Sequence, residues 1–293
     1  EDAFEGCEDL TSLKLPNTLK FIQSGAITQC PKLTSLHIPA SVDSIAPAAV
    51  YGCSAMTSIT VASGNTHYDS RDNCNAVIDK ATNTLLFGCS KTIIPKSVSH
   101  IGLGAFAFCK SLESITIPSG VSTIGQYAFL ECGNLEQVTV PASVTTIAAG
   151  AFDKTAWYYA QPDGVLYINK VLYRYKGTMP DNHFVVVKEG TISISPEAFA
   201  SQSHLTHITI PNSVTHIGHR AFDGCSGLQS VVLPNKLKVI ESATFDGCSN
   251  IQNLTLPKSL KMVQWYAFND CDIDHLHYTG DIASWCDIRF IGS

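Results

Sequence analysis

The sequence predicts a solenoid that is mainly β, with a short strand in each coil, an irregular convex side, about eleven coils of 23 residues and two β-hairpin insertions. Two observations carry this. Prolines that follow an apolar triplet recur every 23 residues, at Pro16 and Pro39, at Pro95, Pro118 and Pro141, and at Pro211, Pro234 and Pro257. Ala62 and Lys188 fill the slot where proline is missing, and Thr279 fills it one residue early. Apolar positions also repeat in register. Val98, Ile101, Ala105, Phe106, Cys109, Leu112, Ile115 and Ile117 are followed one period later by Val121, Ile124, Ala128, Phe129, Cys132, Leu135, Val138 and Val140. A coil this short cannot bury its apolar edge alone, whereas stacked coils bury one another.

Each element follows from local chemistry. Leu112-x-x-Ile115-x-Ile117 ends in strict alternation, the mark of a short strand with one buried face. The proline after it ends the strand because it has no N–H for a ladder. Ile101-Gly102, Ile124-Gly125 and Ile217-Gly218 are expected to mark bends, and the Ala-Phe pair that follows drops an aromatic ring into the core. Cys7, Cys30, Cys53, Cys109, Cys132, Cys225, Cys248 and Cys271 all fall three residues after the Phe slot, so they read as one ladder of small buried rungs. No Cys-x-x-Cys spacing suggests zinc. Cys74 and Cys89 lie off the ladder and could form a bridge, whereas stacked rungs point the same way and disfavour one.

Two periods are longer than the rest. Residues 65–90 and 156–184 each carry two β-prone runs around a polar turn: Ala76-Val77-Ile78 with Leu85-Leu86-Phe87, and Val165-Leu166-Tyr167 with Val171-Leu172-Tyr173. Both are expected to be β-hairpins on a single domain spanning 1–293, with a C-terminal cap over about 272–293 in which Trp285 covers the last coil.

Composition excludes several functions. Lys plus Arg number 19 against 25 Asp plus Glu, a net charge of −6 with no basic run, which argues against nucleic-acid binding. Charged residues are only 15 % of the chain, too few for disorder or coiled coil. No apolar stretch is long enough for a membrane helix, and the chain opens in mid-pattern, as expected of a trimmed piece of a longer protein.

The pattern Leu-x-x-Ile-x-Ile-Pro-x-x-Val-x-x-Ile-Gly-x-x-Ala-Phe-x-x-Cys resembles the BspA-like leucine-rich repeats, most closely over residues 112–132 and 205–225. It departs where Ile27 and Val50 replace Phe, and in the two long periods. The resemblance implies a leucine-rich-repeat solenoid that is secreted or held on a bacterial surface, some relatives being implicated in adhesion to host proteins.

A binding function would sit on the outward positions of the strands, the concave face of such a solenoid. The candidates are His37, Thr60, Thr116, Gln137, Thr139, His207, Thr209, Asn253, Thr255 and His277, a surface of hydroxyls, amides and imidazoles able to hydrogen-bond a host extracellular protein or a glycan. Ser and Thr also simply suit solvent-facing strand positions. A second candidate is the aromatic cluster Trp157, Tyr158, Tyr159 and Tyr173, since Tyr and Trp serve interfaces well, although such rings also pack hairpins onto a core. Catalytic and metal readings fail. Ile101-Gly102-Leu103-Gly104 lacks a third phosphate-loop glycine. His216 and His219 have no partner pair, and Asp69 to Asn73 lacks the Gly and distal Glu of a calcium loop. The expectation is a non-enzymatic, extracellular or surface-bound protein without cofactor, the alternative being a spacer that presents another domain.

Overall fold

The computed structural model describes residues 2–292. The chain falls into two compact units, Glu1–Gln161 and Pro162–Ser293. Each unit is a β-solenoid of the predicted period. In the first, His100–Ile101, Thr123–Ile124 and Thr146–Ile147 stack as parallel rungs with Ile101 opposite Ile124 and Ile124 opposite Ile147. In the second, Leu205–Thr209, Ser230–Val232, Asn253–Leu256 and His275–Tyr278 continue a parallel sheet that begins at His183–Val186.

Most coils therefore carry two short strands, one from the Leu-x-x-Ile run and one ending at the Ile of Ile-Gly, and the N-terminal coils add a third at the Phe slot, Phe4–Glu5, Ile27–Thr28 and Val50–Tyr51. The core between them is a column of rings. Phe106, Phe129 and Phe152 stack at 5.1 and 5.3 Å between centroids. Phe199, Phe222, Phe245 and Phe268 stack at 5.4, 5.2 and 5.5 Å, their planes within 6° of parallel. Trp157 closes the first column at 5.0 Å from Phe152, and Tyr175 heads the second at 6.3 Å from Phe199.

The Ile-Gly glycines mark the expected bends, the carbonyls of Gly102, Gly125 and Gly218 accepting from the amides of Ala105, Ala128 and Ala221, but not through a left-handed backbone. Their φ angles are not positive, and their need is space: a Cβ on Gly125 would lie 2.7 Å from the Gly102 carbonyl carbon in the adjacent coil. The left-handed residues lie two positions either side of the Phe slot, in every coil that has one. Glycine fills some of these slots, such as Gly52 and Gly150, but Ala48, Phe108, Tyr127, Glu131, Arg220 and Tyr266 occupy others at φ of +52° to +59°. A left-handed conformation costs a residue with a Cβ about 1–2 kcal/mol.

Both hairpins form, and each is built into a ladder rather than appended to it. In the first unit, Tyr68–Asp69, Ala76–Asp79 and Thr84–Gly88 are antiparallel, and Thr84–Gly88 then pairs in parallel with His100–Ile101. In the second, Gly164–Ile168 pairs with Val171–Lys176, which pairs in parallel with Ser193–Ile194. The expected 156–184 segment is wider than its hairpin: Ala156–Tyr159 is a helix, and His183–Val186 joins the front sheet. At the C-terminus His275–Tyr278 is one more rung, and Arg289–Phe290 pairs with Met262–Val263. Trp285, on the helix Ile282–Cys286, packs 5.2 Å from Tyr278.

The first hairpin is held by Asn65, which is 2 % exposed. Its Nδ2 donates to the Pro39 and Val42 carbonyls at 3.0 and 2.9 Å, and its Oδ1 accepts from the His67 and Tyr68 amides at 2.9 and 2.8 Å. The Tyr68 hydroxyl then accepts from the Ile45 amide at 2.9 Å, in place of a backbone rung.

Candidate functional site

The outward residues of the front strands form two columns. In the second unit Phe184, His207, Ser230, Asn253 and His275 lie in register. Beside them Val186 lies opposite Thr209, and Val232, Thr255 and His277 follow in register with one another. Neither column holds a carboxylate, an ammonium or a guanidinium. The columns are graded, for Phe184, Val186 and Val232 are 54 %, 61 % and 63 % exposed, whereas the far end is amide, hydroxyl and imidazole. The Phe184 ring lies 6.1 Å from that of His207.

The first unit carries two smaller faces of the same kind. Ser35 and His37 lie opposite Ser58 and Thr60, and the His37 Nδ1 is 2.9 Å from the Thr60 Oγ1. Ser114 and Thr116 lie opposite Gln137 and Thr139. Between these pairs Lys91–Ile94 forms no strand. Thr92 occupies the inward position there and donates to the Asn75 carbonyl at 2.6 Å, leaving Ile93 fully outward.

The structure thus gathers His207, Thr209, Asn253, Thr255 and His277 on one sheet, Thr116, Gln137 and Thr139 on another, and His37 with Thr60 on a third. The aromatic cluster is not one exposed patch. Tyr173 is 1 % exposed and belongs to the core, and Trp157 seals the Phe column while its amide donates to the Leu135 carbonyl at 2.7 Å. Tyr158 is half-buried on the short helix that Thr155 caps, and Tyr159 is exposed.

The BspA-type leucine-rich repeat region matches in six copies, over residues 1–83, 86–174 and 167–293. The chain belongs to the BspA-type leucine-rich repeat family. Among solved structures, this BspA-type chain is similar to a leucine-rich cell surface protein of Faecalibacterium prausnitzii, with 21 % identity and a TM-score of 0.37 over 97 % of this chain and 92 % of that one. It is similar to a leucine-rich repeat protein of Eubacterium ventriosum, with 22 % identity and a TM-score of 0.40 over 99 % and 65 %. It is also similar to the pneumococcal vaccine antigen PcpA, with 15 % identity and a TM-score of 0.41 over 97 % and 68 %. No curated protein matches it.

The cysteine ladder of this BspA-type chain is more than apolar filling. Six of the eight ladder thiols, all but Cys7 and Cys109, reach back to the carbonyl of the Phe slot in the preceding coil, Cys30 to Phe4 and Cys53 to Ile27 among them. Cys132 donates to Phe106 at 3.0 Å, Cys225 to Phe199 at 3.1 Å, Cys248 to Phe222 at 3.1 Å and Cys271 to Phe245 at 2.9 Å. All the cysteines are free thiols, so the possible Cys74–Cys89 bridge is not made; Cys74 donates to the Ala76 carbonyl and Cys89 to that of Asn75. Burial pushes Cys109 up to about 11 and Cys53 and Cys225 up to about 12. A thiol whose pKa is raised by folding stabilises fully below its ordinary pKa near 9 and loses that contribution as pH climbs toward the folded value. Cys286 is exposed. A thiol reagent at pH 8 should therefore modify Cys286 first and Cys225 only on unfolding; equal rates at the two would contradict the ladder.

Among the described residues, no group of three His, Cys, Asp or Glu side chains is placed to hold a metal ion, and no helix is long and apolar enough to cross a membrane. Phe184 and Val186 were not among the sequence candidates, although they lie one period before His207 and Thr209. Assigning residues 156–184 to the hairpin insertion hid the strand His183–Val186 that carries them.

Proposed function

We propose that this leucine-rich-repeat scaffold is a non-enzymatic binding protein, secreted or held at a cell surface, that engages a host protein or glycan through the outward faces of its front strands. The observation that carries this reading is the five-stranded sheet of the second unit, which lines up two uncharged columns of side chains from Phe184 and Val186 to His275 and His277. Extended sheets of stacked repeats serve as binding surfaces because neighbouring coils offer side chains at a fixed spacing. The columns hold no charge to steer a ligand, so the reading implies binding that depends weakly on salt. Membership of the BspA-type repeat family supports the extracellular setting.

The test is an array of matrix proteins, serum proteins, mucins and glycans probed with the purified chain at two salt concentrations. A saturable partner should bind about tenfold or more weakly to the double variant His207→Ala/Thr209→Ala, and with unchanged affinity to Tyr159→Ala. Binding lost only with Tyr159→Ala would move the site to the helix of the first unit. Absence of any saturable partner would overturn the reading in favour of a spacer.

A further inference from the structure

The end of the cysteine ladder in the second unit sets two sulfurs side by side. Cys248 and Cys271 occupy the same slot of successive coils. Backbone bonds tie those coils together just before the slot, from the Phe245 amide to the Ala267 carbonyl and from the Gly247 amide to the Asn269 carbonyl, both at 2.9 Å. The Phe245 and Phe268 rings of the same coils lie 5.5 Å apart and 3° from parallel. Equivalent atoms of the two cysteines are thus displaced by one strand spacing, about 4.8 Å. The two thiols are in hydrogen-bond contact with each other.

That displacement suits one chemistry better than another. A disulfide holds its Cβ atoms about 3.8 Å apart, so forming one here would pull the coils out of their spacing. Two metal–sulfur bonds of about 2.3 Å laid end to end span about 4.6 Å, which the stack already provides. The pair therefore fits an ion held between two sulfurs. Soft thiolates select Cu(I), whereas Zn(II) asks for four ligands.

Two further observations point to a cation. Cys271 is only partly buried, while Cys225 and Cys248 beneath it are buried, so the ladder opens to solvent at this rung. Beside it Asn269 draws two carboxylates together, donating from Nδ2 to Asp246 Oδ1 at 2.9 Å and to Asp270 Oδ2 at 3.1 Å. Both carboxylates act on the Cys271 sulfur, and together they attract a cation to the opening. The contact with Cys248 holds the Cys271 thiol below its ordinary value, which makes it the readier of the two to release its proton.

We propose that Cys248 and Cys271 form a two-sulfur site for one Cu(I) ion, with Asp246 and Asp270 at its opening. Binding breaks two S–H bonds and forms two Cu–S bonds; both protons pass to water and no electron moves. The thiols give up their bonds to the Phe222 and Phe245 carbonyls, a small loss because S–H is a weak donor. The site is separate from the front-strand surface.

The test uses the full chain carrying Cys7→Ser and Cys286→Ser, which leaves Cys271 as the one cysteine that is not buried. Cu(I) is supplied without oxygen as its acetonitrile complex, and binding is followed by the ultraviolet sulfur-to-copper band and by proton release in weak buffer. One Cu(I) should bind per chain, release two protons, withstand about a tenfold excess of glutathione and leave the circular dichroism unchanged. Zn(II) should bind about a hundredfold or more weakly. Cys271→Ser, which keeps a donor for the Phe245 carbonyl, should abolish the copper band, and Asp246→Asn with Asp270→Asn should weaken binding about threefold or more. Retention of the band in Cys271→Ser would overturn the proposal. So would release of a single proton or loss of the ion to glutathione, each the mark of an adventitious adduct on one thiol, or unfolding of the chain during the titration.

Discussion

Replacing Phe222 with alanine is expected to lower the unfolding free energy by about 4 kcal/mol, the upper part of the range for a buried aromatic. The ring is fully buried, and it lies between Phe199 and Phe245 at 5.4 and 5.2 Å. Truncation removes the apolar surface it buries and opens a void that the neighbours cannot close. Their spacing is set by backbone bonds on either side, from the Phe199 amide to the Ala221 carbonyl at 2.8 Å and from the Phe222 amide to the Thr244 carbonyl at 2.9 Å. The thiols of Cys225 and Cys248 fix the same two junctions. Phe268, half-buried at the end of the column, should cost about half as much when truncated, since it has a ring on one side only. Urea unfolding of the two variants beside the parent measures both. A loss of less than about 1 kcal/mol at Phe222 would show that the coils relax into the gap.

Replacing Asn65 with alanine should cost about 3 kcal/mol, because it strands the Val42 carbonyl and the His67 and Tyr68 amides and leaves the Pro39 carbonyl with the Val42 amide as its one donor. Aspartate is the sharper variant. It keeps the size and the acceptor that faces His67 and Tyr68, but it turns an oxygen toward the Pro39 and Val42 carbonyls, which need donors. Asn65→Asp is therefore expected to be as damaging as Asn65→Ala, and thermal melts at neutral pH compare the two. If aspartate were tolerated, the two bonds donated by the amide would carry little of the hairpin's attachment. The Tyr68 hydroxyl, which satisfies the Ile45 amide, should lose its partner in both variants.

These two residues also mark what could and could not be read from the amino-acid order. Phe222 was legible because its ring recurs at Phe199 and Phe245, and a periodic ring can only stack on its neighbour. The front strands were legible for the same reason, and most of the candidate face with them. Asn65 was not legible, since it occurs once, and a polar residue in a Ser-Gly-Asn-Thr run looks like any turn. The left-handed corners escaped because so many of their slots hold Ala, Tyr, Phe or Glu in place of the glycine that signals such a conformation. For Tyr173 both an interface role and packing onto the core stayed open, because composition cannot tell which face of a hairpin strand turns inward. The pairing of Val171–Lys176 with Ser193–Ile194 decides that, and it is a long-range contact.

The thiol-to-carbonyl bond has a consequence for how a gene of this kind can change length. Cys132 and Phe106, Cys225 and Phe199, and Cys248 and Phe222 are each 26 residues apart, one period plus the three residues from ring to thiol. Loss of residues 102–124 would bring Ile101 to Gly125 and leave every joint with an equivalent partner. A tandem duplication of the same stretch would do likewise. Unequal recombination in whole periods is thus silent at the junctions and alters only how many outward side chains a face displays. A slip of another length would carry the thiol past its acceptor and the ring out of its column unless, as in the two long periods, the added residues form a hairpin strand that takes over the rung. The spacing that holds the molecule together therefore also screens which rearrangements its lineage can keep.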